Sequence, residues 1–367
     1  MKIALVYDRI NKFGGAERLL LALHRIYPEA PIFTLVHDPT TSKWAEGINI
    51  IPSFINKVSP LRQKHEWLAP LAPLAFESLD FSGYDVIISI TSSDAKSVIT
   101  KPGQLHICYC LTPTRYFWSG EKEYSADHKL KIIPSFIKNY FKSVDLLTST
   151  RPDEYISISF EVQERVKKYY NRESIVVYPP IEDKFYANTP IDMDNREYFL
   201  VIGRMVPYKK FDLVIKAFNI LNKPLVVIGT GSQLENLKKM AGPTTSFVGH
   251  VEDHRLVEYY RRARAVIFPQ KEDFGLVPLE AQALGTPVIA YSKGGALETI
   301  AENKTGIFFS EQTEESLLEA VKRFEKMKFS IKDCTENASK FSFSVFSEKF
   351  SKQISDLWSD HLSNFPA

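Results

Sequence analysis

The residues best suited to chemistry lie in the stretch Phe268-Pro-Gln-Lys-Glu272-Asp273-Phe274-Gly275-Leu276-Val277-Pro278-Leu279-Glu280. Two carboxylates, Glu272 and Glu280, bracket a glycine and a proline. The pattern predicts a strand ending near Phe268, a loop through Gly275, and a helix whose first turn suits Pro278. Ligands of open α/β sheets bind outside the carboxyl ends of strands, and amides at a helix N-terminus form a cradle for a diphosphate. Taken alone, the stretch has a plainer account. Glu280 is expected in the first helical turn, where a carboxylate simply complements the helix dipole. A second stretch, Val201-Ile-Gly203-Arg204-Met-Val-Pro-Tyr-Lys209-Lys210-Phe211, supplies cations at the end of another predicted strand. Arg204 offers phosphate oxygens a planar fork of donors, and Lys209 offers a compact charge. Together they would stabilise the charge that develops on a leaving diphosphate, which can replace a divalent metal.

Positioning these side chains requires strands and helices in alternation, and the sequence has them. Short β-branched runs are expected as strands at residues 3–7, 32–36, 85–90, 106–110, 144–149 and 175–178. A second series is expected at 198–202, 225–228, 246–248, 265–268, 287–290 and 306–309. Helix-length segments separate them, which indicates βαβ units and parallel sheets. Because the series occurs twice, two doubly wound α/β domains are expected. The proline-bearing segment 178–190 is the boundary, since its prolines fit neither a central strand nor a helix interior. The expected division is residues 1–180, residues 181–345, and a C-terminal helix over 346–367 that packs back toward the first domain.

Composition narrows the classes. A chain of 367 residues suits two domains of similar size. A net charge of +2 is too small to imply a nucleic-acid partner. No apolar run approaches the roughly 18 residues needed to span a bilayer. The start, MKIALVYDRI, reads as a strand rather than a signal peptide. Cys108, Cys110 and Cys334 form no Cys-x-x-Cys pair, which argues against a disulfide framework or a zinc site and for buried thiols in a reducing cytoplasm.

The ordered set Gly203-Arg204…Lys209 and Glu272-x7-Glu280 resembles retaining glycosyltransferase family 4. The resemblance extends through Val227-Ile-Gly229-Thr-Gly231, Phe247-Val-Gly249-His250 and Gly285-Thr-Pro through Gly295. In the first half it covers Gly14-Gly15-Ala-Glu-Arg and Tyr109-Cys-Leu-Thr-Pro-Thr-Arg115-Tyr116-Phe-Trp118. The resemblance implies a GT-B fold, two Rossmann-like domains facing a cleft, with the nucleotide sugar held by the second. It implies that Arg204 and Lys209 grip the donor diphosphate, that Glu272 faces the donor sugar, and that Glu280 accepts hydrogen bonds from the ribose. Backbone around Phe274, Gly275 and Leu276 would contact sugar hydroxyls or phosphate. Gly229 and Gly231 would let the chain approach the nucleotide, and Gly249 and His250 would edge the base pocket, although His250 fits an ordinary loop histidine equally well. Gly14 and Gly15 would come close to the donor phosphates when the domains shut. No cofactor is implied beyond the donor substrate.

This sequence departs from the family pattern at two positions. Leu111 stands where many relatives have histidine, so contacts on the acceptor side fall to Arg115, Tyr116 and Trp118, for which aromatic packing is the plainer account. Lys210 stands where a glycine commonly follows the phosphate-binding lysine. One Asp-x-Asp, Asp192-Met-Asp194, lies beside the linker with no strand end before it, and no metal is expected there. The segment His128–Lys142 mixes lysines with aromatics and isoleucines and has no acid. It fits either a helix resting on anionic lipid or one whose apolar face packs in the core.

The subgroup resembled includes mannosyltransferases of surface-polysaccharide assembly. This implies GDP-mannose as the first donor to test and a saccharide or polyprenyl-diphosphate-linked oligosaccharide as acceptor. It also implies a cytoplasmic enzyme, peripheral on the membrane if the lysine-rich segment touches lipid. A sugar-nucleotide epimerase on the same fold and an inactive scaffold are the competing readings.

Overall fold

The computed structural model describes residues 1–58, 62, 70–119, 134–186, 192 and 195–364. The chain divides into two compact units, residues 1–179 with 346–367, and residues 180–345.

The first unit is built on seven parallel strands: β1 (Ile3–Tyr7), β2 (Ile32–Thr34), β3 (Ile50–Pro52), β4 (Val86–Thr91), β5 (Leu105–Cys110), β6 (Glu154–Ser157) and β7 (Ile175–Val176). Their order is β3-β2-β1-β4-β5-β6-β7. Every residue of β4 and β5 is buried, as expected for strands covered by helices on both faces. Helix α1 (Gly15–Ile26) buries Leu19, Leu20 and Leu23 and carries His24 and Arg25 in its last turn, where a cation complements the dipole. The C-terminal helix Phe343–Asn364 buries Phe346, Phe350 and Ile354. The rings of Phe346 and Phe350 lie 6.5 and 5.3 Å from that of Tyr109 on β5, and the Tyr109 hydroxyl donates to Val177 O at 2.6 Å. Cys108 and Cys110 on β5 are free, buried thiols, and burial pushes the Cys110 thiol well up.

The second unit has six parallel strands: β8 (Tyr198–Ile202), β9 (Leu225–Ile228), β10 (Thr245–Gly249), β11 (Ala263–Phe268), β12 (Val288–Tyr291) and β13 (Gly306–Phe309). The order is β10-β9-β8-β11-β12-β13. Its core joins Phe199, Phe218, Val227, Ile267, Ile289 and Phe324. Both units are therefore doubly wound parallel α/β sheets. In each, strand order reverses once, between β1 and β4 and between β8 and β11. Such switch points leave a crevice outside the carboxyl ends of the two strands.

The structure corrects one strand expectation in the first unit and adds two strands. Residues 144–149 are not a strand; they end the helix Ser135–Thr148. The true strands there are β6 and, earlier, the short β3. The apolar run Val144–Leu147 misleads because this helix turns polar residues inward: Asp145 and Thr148 are buried, while Leu147 is exposed. Of the lysine-rich segment, residues 128–133 lie outside the described residues. The rest begins the same helix after Pro134, and Phe136 and Tyr140 are 72% and 64% exposed, so these two rings do not pack in the core. Of Asp192-Met-Asp194, residues 193 and 194 lie outside the described residues.

Asp145 faces inward because a buried ammonium meets it there. Lys96 Nζ lies 2.7 Å from Asp145 Oδ1, and both side chains are nearly inaccessible. Thr114 Oγ1 donates to Oδ1 at 2.7 Å, Trp118 Nε1 to Oδ2 at 2.7 Å, and the Tyr170 hydroxyl to Oδ2 at 3.0 Å. Burial pushes the Asp145 carboxyl upward, but the Lys96 charge and these donors outweigh it and hold it below the ordinary value. Removing one partner leaves the other buried and uncompensated, at a cost of about 3–5 kcal/mol. Lys96→Met should therefore destabilise the chain by that order in urea denaturation. With a depressed native pKa, the stabilisation from Asp145 is complete above the ordinary carboxylate pKa of about 4 and is lost as pH falls through the lower native value. In Lys96→Met this acid dependence should shrink.

Candidate active site

At the switch point of the second sheet, β8 and β11 end side by side, and the loops after them carry the residues singled out from the sequence. After β8 the chain runs through Gly203, Arg204 and a 3-10 turn, Pro207–Lys209. Lys209 ion-pairs with Glu272 Oε1, which also accepts from Gln270 Nε2 at 3.3 Å. Arg204 is exposed, with a long 3.5 Å contact from Nη2 to the Tyr208 hydroxyl. Lys210 lies in the left-handed region, with φ of 56°. This is the conformation that glycine adopts without cost, which accounts for the glycine preferred there. Lys210 holds it as the residue joining the 3-10 turn to the helix Phe211–Leu221.

After β11, Gly275 caps the helix Leu276–Ala283 in a left-handed conformation. The Phe274 ring is buried, 5.9 Å from that of Phe341. Glu280 is the fifth residue of this helix, one turn further in than expected, and the dipole-complement account of it loses its footing. It is instead 6% exposed and accepts a 2.7 Å hydrogen bond from the Tyr260 hydroxyl through Oε2. A buried carboxylate is costly unless its lone pairs are met, and the Tyr260 hydroxyl meets one of those of Glu280.

The neighbouring loops are fixed by main-chain contact. Gly203 N donates to Ile228 O at 3.1 Å, Met205 N to Thr230 O at 2.8 Å, and Gly229 N to Gly249 O at 2.8 Å. A Cβ on Gly229 would sit 1.9 Å from Gly203 O. The glycine is thus required by the β8 loop itself, a local reason beyond approach to a nucleotide. His250 follows Gly249 and is exposed. A contact not singled out from the sequence lies after β12. Gly295 N donates to Glu272 O at 2.9 Å, and a Cβ on Gly295 would meet Phe274 O at 2.1 Å. The pair Gly294-Gly295 was the visible signal. Among the described residues, no group of three or more His, Cys, Asp or Glu is placed to hold a metal ion.

In the first unit, Gly14 is the extended cap at the end of the loop from β1, and Gly15 is the first residue of α1. The acceptor-side candidates follow β5 and prove to be well anchored. Trp118 is held by Asp145 and stacks on Tyr169 with ring centroids 5.2 Å apart. The Tyr116 hydroxyl lies 3.0 Å from Ser93 Oγ, and burial pushes its pKa up. Arg115 is half-buried, and Leu111 is buried beside Thr91, whose carbonyl accepts from Leu111 N at 2.8 Å. The polar residues behind these, Asp8, Asp94, Lys96 and Asp145, were not found from sequence.

Comparison with known proteins agrees with this geometry. Residues 183–341 match the family model described as "Glycosyl transferases group 1". An uncharacterized glycosyltransferase of Methanocaldococcus jannaschii is 27% identical, over 84% of this chain and 83% of its own. A GDP-mannose-dependent alpha-(1-6)-phosphatidylinositol monomannoside mannosyltransferase of Mycobacterium tuberculosis is 31% identical, over 35% of this chain and 38% of that protein. Among solved structures, Anabaena HepE in complex with UDP superposes with a TM-score of 0.73 at 18% identity, covering 97% of this chain and 100% of that one. A sucrose-phosphate synthase of Thermosynechococcus elongatus gives 0.75 at 17% identity, covering 98% and 100%. The fold is GT-B, as in these solved structures, and residues 183–341 are similar to the group 1 glycosyltransferase family.

Gly229→Ala should test the loop packing. The β8 loop must move or the strained backbone must be tolerated, at about 2 kcal/mol. A lowered urea midpoint together with weakened binding of nucleoside diphosphate is the expected outcome.

Proposed function

We propose that the chain is a retaining, metal-independent hexosyltransferase, with GDP-mannose as the first donor to test and a saccharide or polyprenyl-diphosphate-linked oligosaccharide as acceptor. The observation that carries this reading is the meeting of Lys209 and Glu272 at the β8/β11 switch point, with Arg204 on the same loop and Glu280 on the adjoining helix. The M. tuberculosis relative, with its GDP-mannose donor, supports mannose. The UDP and UDP-glucose complexes of HepE support a uridine donor as the alternative.

On this reading Arg204 and Lys209 hold the diphosphate. Lys209 exchanges its bond to Glu272 for phosphate oxygens, and Glu272 is released to the donor sugar. Backbone at Phe274, Gly275 and Leu276 contacts the sugar and phosphate. Glu280 takes the ribose hydroxyls, and Gly231, Gly249 and His250 edge the nucleotide. The acceptor hydroxyl attacks the anomeric carbon from the face the diphosphate leaves. Its oxygen bonds to that carbon, the carbon–phosphate-oxygen bond breaks, and a donor phosphate oxygen takes the proton. Nucleoside diphosphate departs, and the anomeric configuration is retained. The protein contributes orientation and fixed charge rather than a covalent intermediate. Gly14 and Gly15 approach the phosphates on closure, which also excludes water. Arg115, Tyr116 and Trp118 line the acceptor side. Phe136 and Tyr140, exposed one helical turn apart in the lysine-rich segment, suit a peripheral seat on anionic lipid at the cytoplasmic face.

Thermal shift with GDP, UDP, ADP and their sugar conjugates, without metal, tests the reading. Stabilisation by GDP and GDP-mannose supports it as stated, stabilisation by uridine conjugates replaces the donor, and no response to any of them overturns it. Glu280→Ala should weaken nucleoside-diphosphate binding by about 1.5–3 kcal/mol, the worth of a hydrogen bond to a charged group. Unchanged affinity in a folded variant would remove Glu280 from the ribose. Transfer activity should persist in EDTA; its loss, restored by added divalent metal, would refute the metal-free mechanism.

A further inference from the structure

The switch point of the first sheet, between β1 and β4, is the second crevice of this fold, and the donor does not account for what stands there. Asp8 follows β1. It accepts from Thr91 Oγ1 at 2.6 Å and from the amides of Ser92, Asp94 and Ala95 at 2.8, 3.0 and 2.9 Å, so its role is to hold the turn after β4. Asp145 is engaged by Lys96, Thr114, Trp118 and Tyr170, as described above. Asp94 differs from both. It is presented by the turn that Asp8 holds and is partly exposed. Among the described residues its carboxylate accepts one hydrogen bond, from Ser93 Oγ to Oδ2 at 2.6 Å. Ser93 Oγ in turn lies 3.0 Å from the Tyr116 hydroxyl, so a short chain of hydroxyls links the carboxylate to the segment after β5.

This chemistry is unsuited to phosphate. The charges that act on Asp94 are Lys96, whose ammonium is already paired with Asp145, and the carboxylates of Asp8 and Asp145; Arg9 acts on Tyr116 nearby. Carboxylate and hydroxyl oxygens at a crevice suit a neutral, hydroxyl-bearing ligand, to which an ionised carboxylate offers strong acceptors. We infer that Asp94 is an acceptor-binding residue, whose carboxylate receives a hydrogen bond from a hydroxyl of the acceptor sugar and so selects which hydroxyl is presented for transfer. The inference rests on the transferase reading and adds the group on the acceptor side that fixes the incoming saccharide. Burial raises the Asp94 carboxyl to about 6, so it is largely ionised at neutral pH and loses its charge just below.

Full-length wild type, D94N and D94A are titrated calorimetrically with octyl α-mannoside, octyl α-glucoside and octyl α-galactoside in the presence of GDP or UDP. At a pH well above 6, at least one glycoside should bind the wild type, and D94A should bind it at least about tenfold more weakly. Stabilisation by the nucleotide should be the same in both variants as in the wild type. Glycoside affinity of the wild type should fall as the pH drops through about 6, and D94N, which keeps the shape but cannot ionise, should show no such fall. Equal affinity in wild type and D94A overturns the assignment, as does a folded D94N with the wild-type pH profile, or a wild type that binds none of the glycosides. Failure of the wild type to bind any nucleotide would instead bring down the transferase reading itself.

Discussion

The second unit depends on main chain packed against main chain at the carboxyl ends of its strands. Gly229 and Gly231 lie against the backbone of Gly203 and Met205, and Gly295 lies against Phe274. No Cβ fits at these places. Because backbone cannot hop between rotamers, the loops after β8, β9, β11 and β12 are fixed relative to one another more tightly than side-chain packing would fix them. Arg204, Lys209 and Glu272 ride on those loops. On the proposed reading they form the clamp for a leaving diphosphate, which works only if its charges are already in place when the bond breaks, since reorganisation at that moment would cost what the clamp supplies.

The first unit solves a different problem with different means. Its strand ends are held by buried polar groups: Asp8 ties down the turn after β4, and Lys96 with Asp145 ties that turn to the helix Ser135–Thr148. Such networks are stable only when every member is satisfied. Asp145 meets this condition with four donors, and Asp8 meets it largely with amides. The two units thus present unlike chemistry at equivalent crevices, cationic and amide-rich in one, carboxylate and hydroxyl in the other.

Much of this was legible in the sequence, and the second unit more than the first. Tyr198–Ile202, Leu225–Ile228 and Gly306–Phe309 are strands with the expected ends, because buried parallel strands are short apolar runs set off by turn residues. In the first unit the run at Val144–Leu147 carried a strand-like composition into a helix. Its inward face is polar, and no periodicity of apolar residues reveals a helix that buries Asp145 and Thr148. The short β3 and β6 were missed for a related reason: three or four residues hold too little pattern to outweigh their neighbours.

What the sequence determined by itself was the set of chemical groups and their order: the cations of Gly203–Lys209, the two glutamates bracketing Gly275, and the glycines at strand ends. Spacing along the chain is enough for these, because each lies within a few residues of a strand whose burial pattern is local. Only the tertiary structure decided that Lys209 meets Glu272, that Glu280 is buried against Tyr260, and that Asp8, Asp94, Lys96 and Asp145 share one neighbourhood. Those partners lie on loops and helices distant in sequence, gathered around strands adjacent in the sheet. Adjacency is set by the reversal of strand order at β1/β4 and β8/β11, a property of the whole sheet that no local pattern encodes.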